Sequence, residues 1–254
     1  MREQVVKILN KTGVHDVGFC SFSAISDRLI ECAAKKRLPE SAKTVIVCLF
    51  PYKVAEAPPE NISRYAAVPD YHKICGKILE KAAQRLRGEY KENKFTPFID
   101  NSPLPEVFAA ATAGLGVMGD NGLLITEKWG SWCFIGEIVT DLALRCDDRF
   151  SRCKACGACA QVCPKGDGEC LSAVSQKKGE LTERESRLLK KHGIVWGCDL
   201  CAEVCPLNRG AGLTTILPFR EGYRNNYTPG EDITGRAYEW RGDGTVRRNF
   251  ENLK

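Results

Sequence analysis

The residues best placed to do chemistry are cysteines. The chain has 254 residues and 14 cysteines, eight of them between residues 153 and 205. In CKACGACAQVCP, Cys153, Cys156, Cys159 and Cys163 are followed by Pro164, the C-x2-C-x2-C-x3-C-P spacing of a run that holds [4Fe–4S] clusters. Three closely spaced thiolates cap three irons of one cluster, and the tight spacing turns backbone N–H groups toward its sulfurs. The fourth cysteine serves a second cluster. Zinc is the competing metal, but it favours paired C-x2-C knuckles with longer gaps. A second run, GCDLCAEVCPLN, keeps Cys198, Cys201 and Cys205, the last followed by Pro206, yet Val195 stands where its first cysteine belongs. If the last cysteine of each run crosses over, Cys205 completes one cluster with Cys153, Cys156 and Cys159. Cys163 then joins Cys198 and Cys201 in the other, which is one ligand short. Cys170, seven residues past Cys163, balances the count. The alternative leaves Cys170 a bystander and the second cluster three-coordinate or absent.

The rest of the composition is that of an ordinary globular protein, with 43% hydrophobic and 27% charged residues. Cysteines crowded in this way point to metal rather than disulfides in a reducing compartment. The six scattered ones (Cys20, Cys32, Cys48, Cys75, Cys133, Cys146) read as small buried hydrophobes. The formal charge of +5 counts thiols as neutral. Eight thiolates on two clusters bring the total close to neutrality, so the basicity is weak evidence for a nucleic-acid partner. No run approaches the roughly 20 apolar residues of a membrane span, and MREQVVKILNKTG lacks the apolar core of a signal peptide. The expectation is a soluble, cytoplasmic protein with no membrane partner.

The elements that must position such chemistry are predicted as alternating helices and strands over residues 1–146. EQVVKILNKTG reads as a helix stopped by Gly13, DVGFCSF as a strand, and SAISDRLIECAAKKR as a helix capped by Ser21 or Ser23. TVIVCLF is a buried strand ending at Pro51. DYHKICGKILEKAAQRLRGEY has helical spacing. FTPFID is an edge or irregular strand because of Pro97, and LPEVFAAATAG is a helix. GLGVMGDNG is a glycine-rich loop, and LLIT with SWCFIGEIVTD reads as a β-hairpin pair. A composition change near Asp147 sets a boundary. Residues 147–210 form the cysteine domain, and residues 211–254 a tail that wraps over the rest.

Four polar stretches in the first part are not demanded by packing. They are ISRYAAVPDYHK, with Ser63, Arg64, Tyr71 and His72; FIDNSPLPE, with Asp100 at a strand end; AGLGVMGDNGLLI, with Asn121 and Leu124; and KWGSWCFIGEIVTD. Alone each has a bland reading: Asp100 as a cap for the next helix, His72 as a surface residue. Taken in order, with both cysteine runs and the C-LSA-x-x-x-x-KGELTE stretch behind them, they resemble the epoxyqueuosine reductase family over nearly the whole chain. The resemblance is to a short form, without the C-terminal helical repeat domain with which longer members grip tRNA.

That resemblance implies an α+β protein: a nitroreductase-like, cobalamin-binding catalytic domain followed by a bacterial ferredoxin-like double [4Fe–4S] domain. It implies two [4Fe–4S] clusters and base-off cobalamin with no histidine lower ligand. The chain also lacks a D-x-H-x-x-G signature. Asp100 is implied as proton donor, kept protonated by burial against the corrin. Ser63, Arg64, Tyr71, His72, Asn121 and Leu124 are implied around the cofactor, and Cys170 as a ligand of the second cluster. The activity implied is reduction of epoxyqueuosine in tRNA, or of a small relative. Electrons would come from an external flavodoxin- or ferredoxin-type donor. The other readings are an electron carrier or corrinoid-reducing partner without its own substrate, and a zinc-stabilised tRNA-binding protein. Val195 is expected to leave an apolar wall where the second cluster faces its electron acceptor.

Overall fold

The computed structural model describes residues 1–165 and 168–254. The chain divides into two compact units: Met1–Pro51 with His72–Cys156, and Tyr52–Tyr71 with Gly157–Lys254. Sequence composition places a single boundary at residue 147 and a separate tail. In the structure the division follows Cys156, and an early segment, Tyr52–Tyr71, is grouped with the late one.

The first unit is built on an antiparallel sheet. Its elements are α1 (Arg2–Asn10), β1 (Asp16–Ser21), β2 (Thr44–Pro51), α3 (Tyr71–Glu89, from His72 on), β3 (Phe95–Ile99), α4 (Glu106–Thr112), β4 (Val117–Met118), β5 (Leu124–Ile125) and β6 (Cys133–Thr140). A short α2 (Arg64–Ala67) precedes α3 in the chain and belongs to the second unit. The sheet order is β1-β2-β6-β3. All residues of β2 are buried, as the β-branched run TVIVCLF requires of a strand covered on both faces. β3 lies at the edge, where the missing N–H of Pro97 is tolerated.

On one face, Val45, Val47, Leu49, Phe98 and Val139 pack with Leu104 and the alanines of α4. On the other, α3 approaches so closely that a Cβ on Gly136 would lie 2.5 Å from Leu79 Cδ1. Glycine is the residue that permits this seating.

Two local expectations are corrected. The segment after β1 is not one helix but three short 3-10 turns, Phe22–Ala24, Ser26–Arg28 and Ala33–Arg37. The backbone extends at Leu29 so that the Ile30 N–H can donate to Pro103 O at 2.8 Å, while Phe22, Ile25, Leu29 and Ala34 all reach the core. Tertiary packing overrides helical spacing here. Nor do LLIT and SWCFIGEIVTD pair with each other. β5 pairs with β4, and a tight loop closed by reciprocal Thr126–Gly130 bonds of 2.9 and 3.0 Å turns the chain so that β6 becomes a central strand. A central strand needs two full-length neighbours, which β2 and β3 supply and a two-residue β5 cannot.

The second unit contains short helices: α2, α5 (Ala158–Val162), α6 (Leu171–Ser175), α7 (Glu183–Lys191), α8 (Leu200–Glu203), α9 (Leu217–Glu221) and α10 (Asp243–Leu253). α7 opens with a reciprocal capping box between Thr182 and Glu185. Ile62, Ala66, Ala67, Val195, Trp196, Tyr227, Tyr238 and Val246 form one core; Leu171, Val174, Leu189 and Ile194 form another. The residues after 210 therefore supply part of a core rather than only a wrapping. Arg236 is buried and donates to Ala67 O at 3.2 Å, and Arg248 donates to Lys177 O at 2.9 Å. These two cations are structural.

Candidate functional site

Asp100 ends β3 with φ of 58°, in the left-handed region that aspartate tolerates better than most residues. That turn presents its carboxylate to His72 at the start of α3, with Oδ2 3.1 Å from Nε2. It does not cap α4, whose N-cap is Pro105 with no side-chain bond. Two of the implied site residues are thus brought together within one unit. The Asp100 side chain is 56% exposed. The burial expected of it is found instead at two neighbouring glutamates.

Glu106, the first residue of α4, accepts from the Asp100 backbone N–H, and its Oε1 is buried without a partner. Burial, then the charge of Asp100, pushes its carboxyl up to about 8; His72 works in the opposite direction. Glu137 projects from the middle of β6 on the face shared with Val47 and Phe98 and is fully buried. Its Oε2 accepts from Ser102 Oγ at 3.2 Å, and its Oε1 has no partner. Burial, then the nearby Glu106 charge, raises it well above the ordinary carboxylate range. A buried carboxyl with no cation against it holds its proton rather than its charge. Sequence reading passed over both residues, although a glutamate inside the apolar run CFIGEIVT is itself a signal.

Of the other implied contacts, Asn121 and Leu124 also lie in the first unit. Leu124 is buried, and the Asn121 amide nitrogen is buried with no hydrogen-bond partner. Ser63, Arg64 and Tyr71 lie in the second unit. Ser63 Oγ is buried without a partner, packed so tightly that a Cβ on Gly197 would fall 2.0 Å from it. The Arg64 guanidinium is buried and donates to Glu203 at 2.5 Å and to the carbonyls of Ala55, Glu56 and Ala57. It holds the loop that precedes α2.

The cysteine runs are divided by the same boundary. Cys153 and Cys156 end the first unit, where the Asp120 N–H donates to Cys153 Sγ at 3.3 Å. Cys159 and Cys205 belong to the second, as do Cys163, Cys170, Cys198 and Cys201. Burial pushes the Cys198 thiol up to about 12, and charge on Cys170 and Cys201 adds to the rise, while the Leu200 N–H on its sulfur opposes it. Cys170 lies near enough to Cys198 for its charge to add to that rise. Cys163 ends α5, which packs against α8, the helix that holds Cys201. Among the described residues, no three His, Cys, Asp or Glu side chains converge tightly enough for a single metal ion. Thiolates at the corners of a cube-shaped cluster lie wider apart than that.

Val195 is a core residue, fully buried beside Trp196, Tyr227 and Tyr238. Its N–H donates to Asn61 O at 2.7 Å, and its carbonyl accepts from Asn249 at 2.8 Å. The apolar wall facing an electron acceptor is therefore not its role. The six scattered cysteines all fall in the first unit; Cys20, Cys48 and Cys75 are buried, the other three partly so.

A covered antiparallel sheet bearing an acid–imidazole pair, in one chain with a cysteine-rich helical unit, places this protein among α+β oxidoreductases. A family model described as "Epoxyqueuosine reductase QueG, DUF1730" matches residues 33–101. The chain is 31% identical over 242 residues to the epoxyqueuosine reductase of Lactococcus garvieae, covering 83% of this chain and 68% of that one. Others of that name, such as the Vibrio cholerae protein, are covered over about half their length (53%). The solved epoxyqueuosine reductase of Streptococcus thermophilus superposes with a TM-score of 0.82 at 24% identity, over 100% of this chain and 80% of that one. An epoxyqueuosine reductase solved with an epoxyqueuosine-modified tRNA-Tyr stem loop gives 0.82 at 20% identity, over 99% and 80%. The chain belongs to the epoxyqueuosine reductase family.

Proposed function

We propose that this chain is an iron–sulfur, cobalamin-dependent reductase that removes the epoxide oxygen of epoxyqueuosine in tRNA, with Asp100 as the proton donor. The observation that carries it is the Asp100–His72 pair, 3.1 Å apart at the mouth of a covered sheet, in a chain whose family is epoxyqueuosine reductase. One solved relative was crystallised with an epoxyqueuosine-modified tRNA-Tyr stem loop, which favours tRNA over a free nucleoside.

The residues present fit the implied groups. Asn121 offers a buried, unpartnered amide for a polar edge of the corrin, and Leu124 an apolar surface beside it. His72, and by resemblance Ser63, Arg64 and Tyr71, complete the contacts we assign. The arrangement is nitroreductase-like in this reading, with a ferredoxin-like double-cluster region behind it. Backbone N–H groups on Cys153 and Cys198 sulfurs suit thiolates that carry cluster charge. We assign Cys153, Cys156, Cys159 and Cys205 to one [4Fe–4S] cluster and Cys163, Cys170, Cys198 and Cys201 to the other. When bound, these groups supply a low-valent cobalt reductant and electrons delivered one at a time from an external flavodoxin- or ferredoxin-type donor.

The chain's own residues do the rest. Asp100 presents a proton to the epoxide oxygen, the backbone turn at φ 58° aims it, and His72 orients it. The test is anaerobic reconstitution of the full chain with iron, sulfide and cobalamin, then assay on epoxyqueuosine-containing tRNA and on the free nucleoside. Turnover of the tRNA supports the reading. Failure to retain corrinoid on desalting, or turnover of neither substrate, sinks it and favours an electron carrier without its own substrate.

A further inference from the structure

Removing an epoxide oxygen as water consumes a pair of electrons and a pair of protons. The first proton goes to the oxygen as one C–O bond breaks, and the second converts the resulting alcohol oxygen to water as the other C–O bond breaks and the alkene forms. The electrons come from the one-electron donor protein already named. Asp100 carries a single proton, so a second must arrive within the same turnover.

Glu106 stands beside Asp100 and Glu137 beside Glu106, two carboxyls that the mechanism above does not use. Glu106 takes the Asp100 N–H on one oxygen and leaves the other buried and unpartnered. Glu137, fully buried, has one oxygen on Ser102 and the other unpartnered. Asp100 and His72 face Glu106, Glu106 faces Glu137, and from β1 and β2 the thiols of Cys20 and Cys48 feel the Glu137 charge. His72 is the one base in that set. Each unpartnered oxygen is a place for a proton, and burial at both sites favours keeping it. Ser102, on the loop between Asp100 and Glu106, links the deeper carboxyl to the segment that carries Asp100.

We infer that Glu106 and Glu137 are the proton store of this site: Glu106 passes its proton to the Asp100 carboxylate after the first protonation, and Glu137 keeps Glu106 protonated between turnovers. Neither touches the substrate, so both act through Asp100 as positioning residues for the proton. In the first transfer an O–H bond breaks on Glu106 and one forms on Asp100; in the second one breaks on Glu137 and one forms on Glu106, and Glu137 regains a proton from solvent before the next turnover, with no redox change. The inference rests on the epoxyqueuosine reading above and adds where its second proton comes from.

The test has two arms on the reconstituted full chain. In infrared spectra taken without substrate, the stretching band of a protonated carboxylic acid is expected at neutral pH, fading as Glu106 ionises near pH 8. Part of it should be lost in Glu106→Gln and part in Glu137→Gln. In steady-state assays, Glu106→Gln is expected to lower kcat roughly 10- to 100-fold, the low end of a proton-transfer contribution, with KM unchanged. It should also abolish the alkaline fall of the pH profile, and added small carboxylic acids should partly restore turnover. Should Glu106→Gln not fold, Glu137→Gln carries the same comparison with a smaller loss. Wild-type kcat and pH profile in the variants, or no protonated-carboxyl band, overturns the store while leaving the proposed function standing. A wild-type chain that turns over neither substrate overturns the proposed function and the store with it.

Discussion

The two units differ in how their chemistry is written into the chain. In the second, reactive residues arrive in short runs: three cysteines within seven positions, then three more within eight, held by helices of four or five residues. In the first, the acid set is assembled from α3, the end of β3, the first residue of α4 and the centre of β6. Only Asp100 and Glu106 share a segment, FIDNSPLPE, and His72 and Glu137 come from distant parts of the chain. Metal ligation sets spacing, because several thiolates must reach one small object. Proton handling sets environment, because a carboxyl behaves as its burial dictates wherever it comes from in the chain.

The largest test of that contrast removes one ligand from the run that looked incomplete. Cys170→Ala is expected to take the chain from about eight irons to about four after anaerobic reconstitution, because the cluster assigned to Cys163, Cys170, Cys198 and Cys201 loses one of its thiolate ligands. Iron and sulfide analysis reads this directly, and full cluster content in the variant would return Cys170 to a bystander. The same variant should leave the infrared signature of the carboxyl set unchanged. Asp100→Asn inverts the pattern: turnover should fall 10²- to 10⁴-fold, the usual range for a lost general acid, with clusters and corrinoid retained. Unchanged turnover would remove the proton-donor role.

Legibility in the sequence follows the same line. β2 and α3 could be read because a buried strand and an amphipathic helix each carry their own pattern, and the cysteine runs stand out because their spacing is local. The turns after β1 were missed because Ile25, Leu29 and Ala34 reach the core at near-helical intervals without a helix. The LLIT–β6 hairpin was misread because nothing local says that β6 pairs with β2 and β3 instead. Glu106 was invisible because a glutamate in the first turn of a helix is ordinary; Glu137, inside the apolar run CFIGEIVT, was visible as an anomaly, but its neighbour Glu106 was not. Arg236 and Arg248 carry no local sign of their structural role, because the carbonyls they bind lie roughly 70 or more residues earlier in the chain.

A smaller effect probes how the cysteine unit is held. Asn249, fully buried in α10, donates to Ser175 O at 2.7 Å and Val195 O at 2.8 Å. Ser175 Oγ in turn accepts from the Gly197 N–H at 2.9 Å, next to Cys198. Asn249→Ala leaves two buried carbonyls short of a donor, at a cost of roughly 2–4 kcal/mol. Thermal unfolding should show the loss, and a chelator should strip iron faster from the cluster of Cys163, Cys170, Cys198 and Cys201. Equal stripping of both clusters would mean that the tail supports the unit as a whole rather than this ligand segment.

The last effect belongs to the carboxyl set and runs through pH. Burial raises Glu106 from its ordinary 4.5 to about 8 in the folded chain, and Glu137 moves the same way. Between those limits the native state binds more protons than the unfolded one. Stability is therefore fully present below the ordinary glutamate value and is lost as pH rises toward about 8. Each proton so held tilts the curve by about 1.4 kcal/mol per pH unit. Denaturant unfolding at several pH values across this window should show the decline. Glu106→Gln and Glu137→Gln, which carry no charge to bury, should each flatten it. A wild-type slope of zero would mean that both carboxylates ionise freely in the folded protein. The environment argued for them would then be wrong, whatever the enzyme's activity.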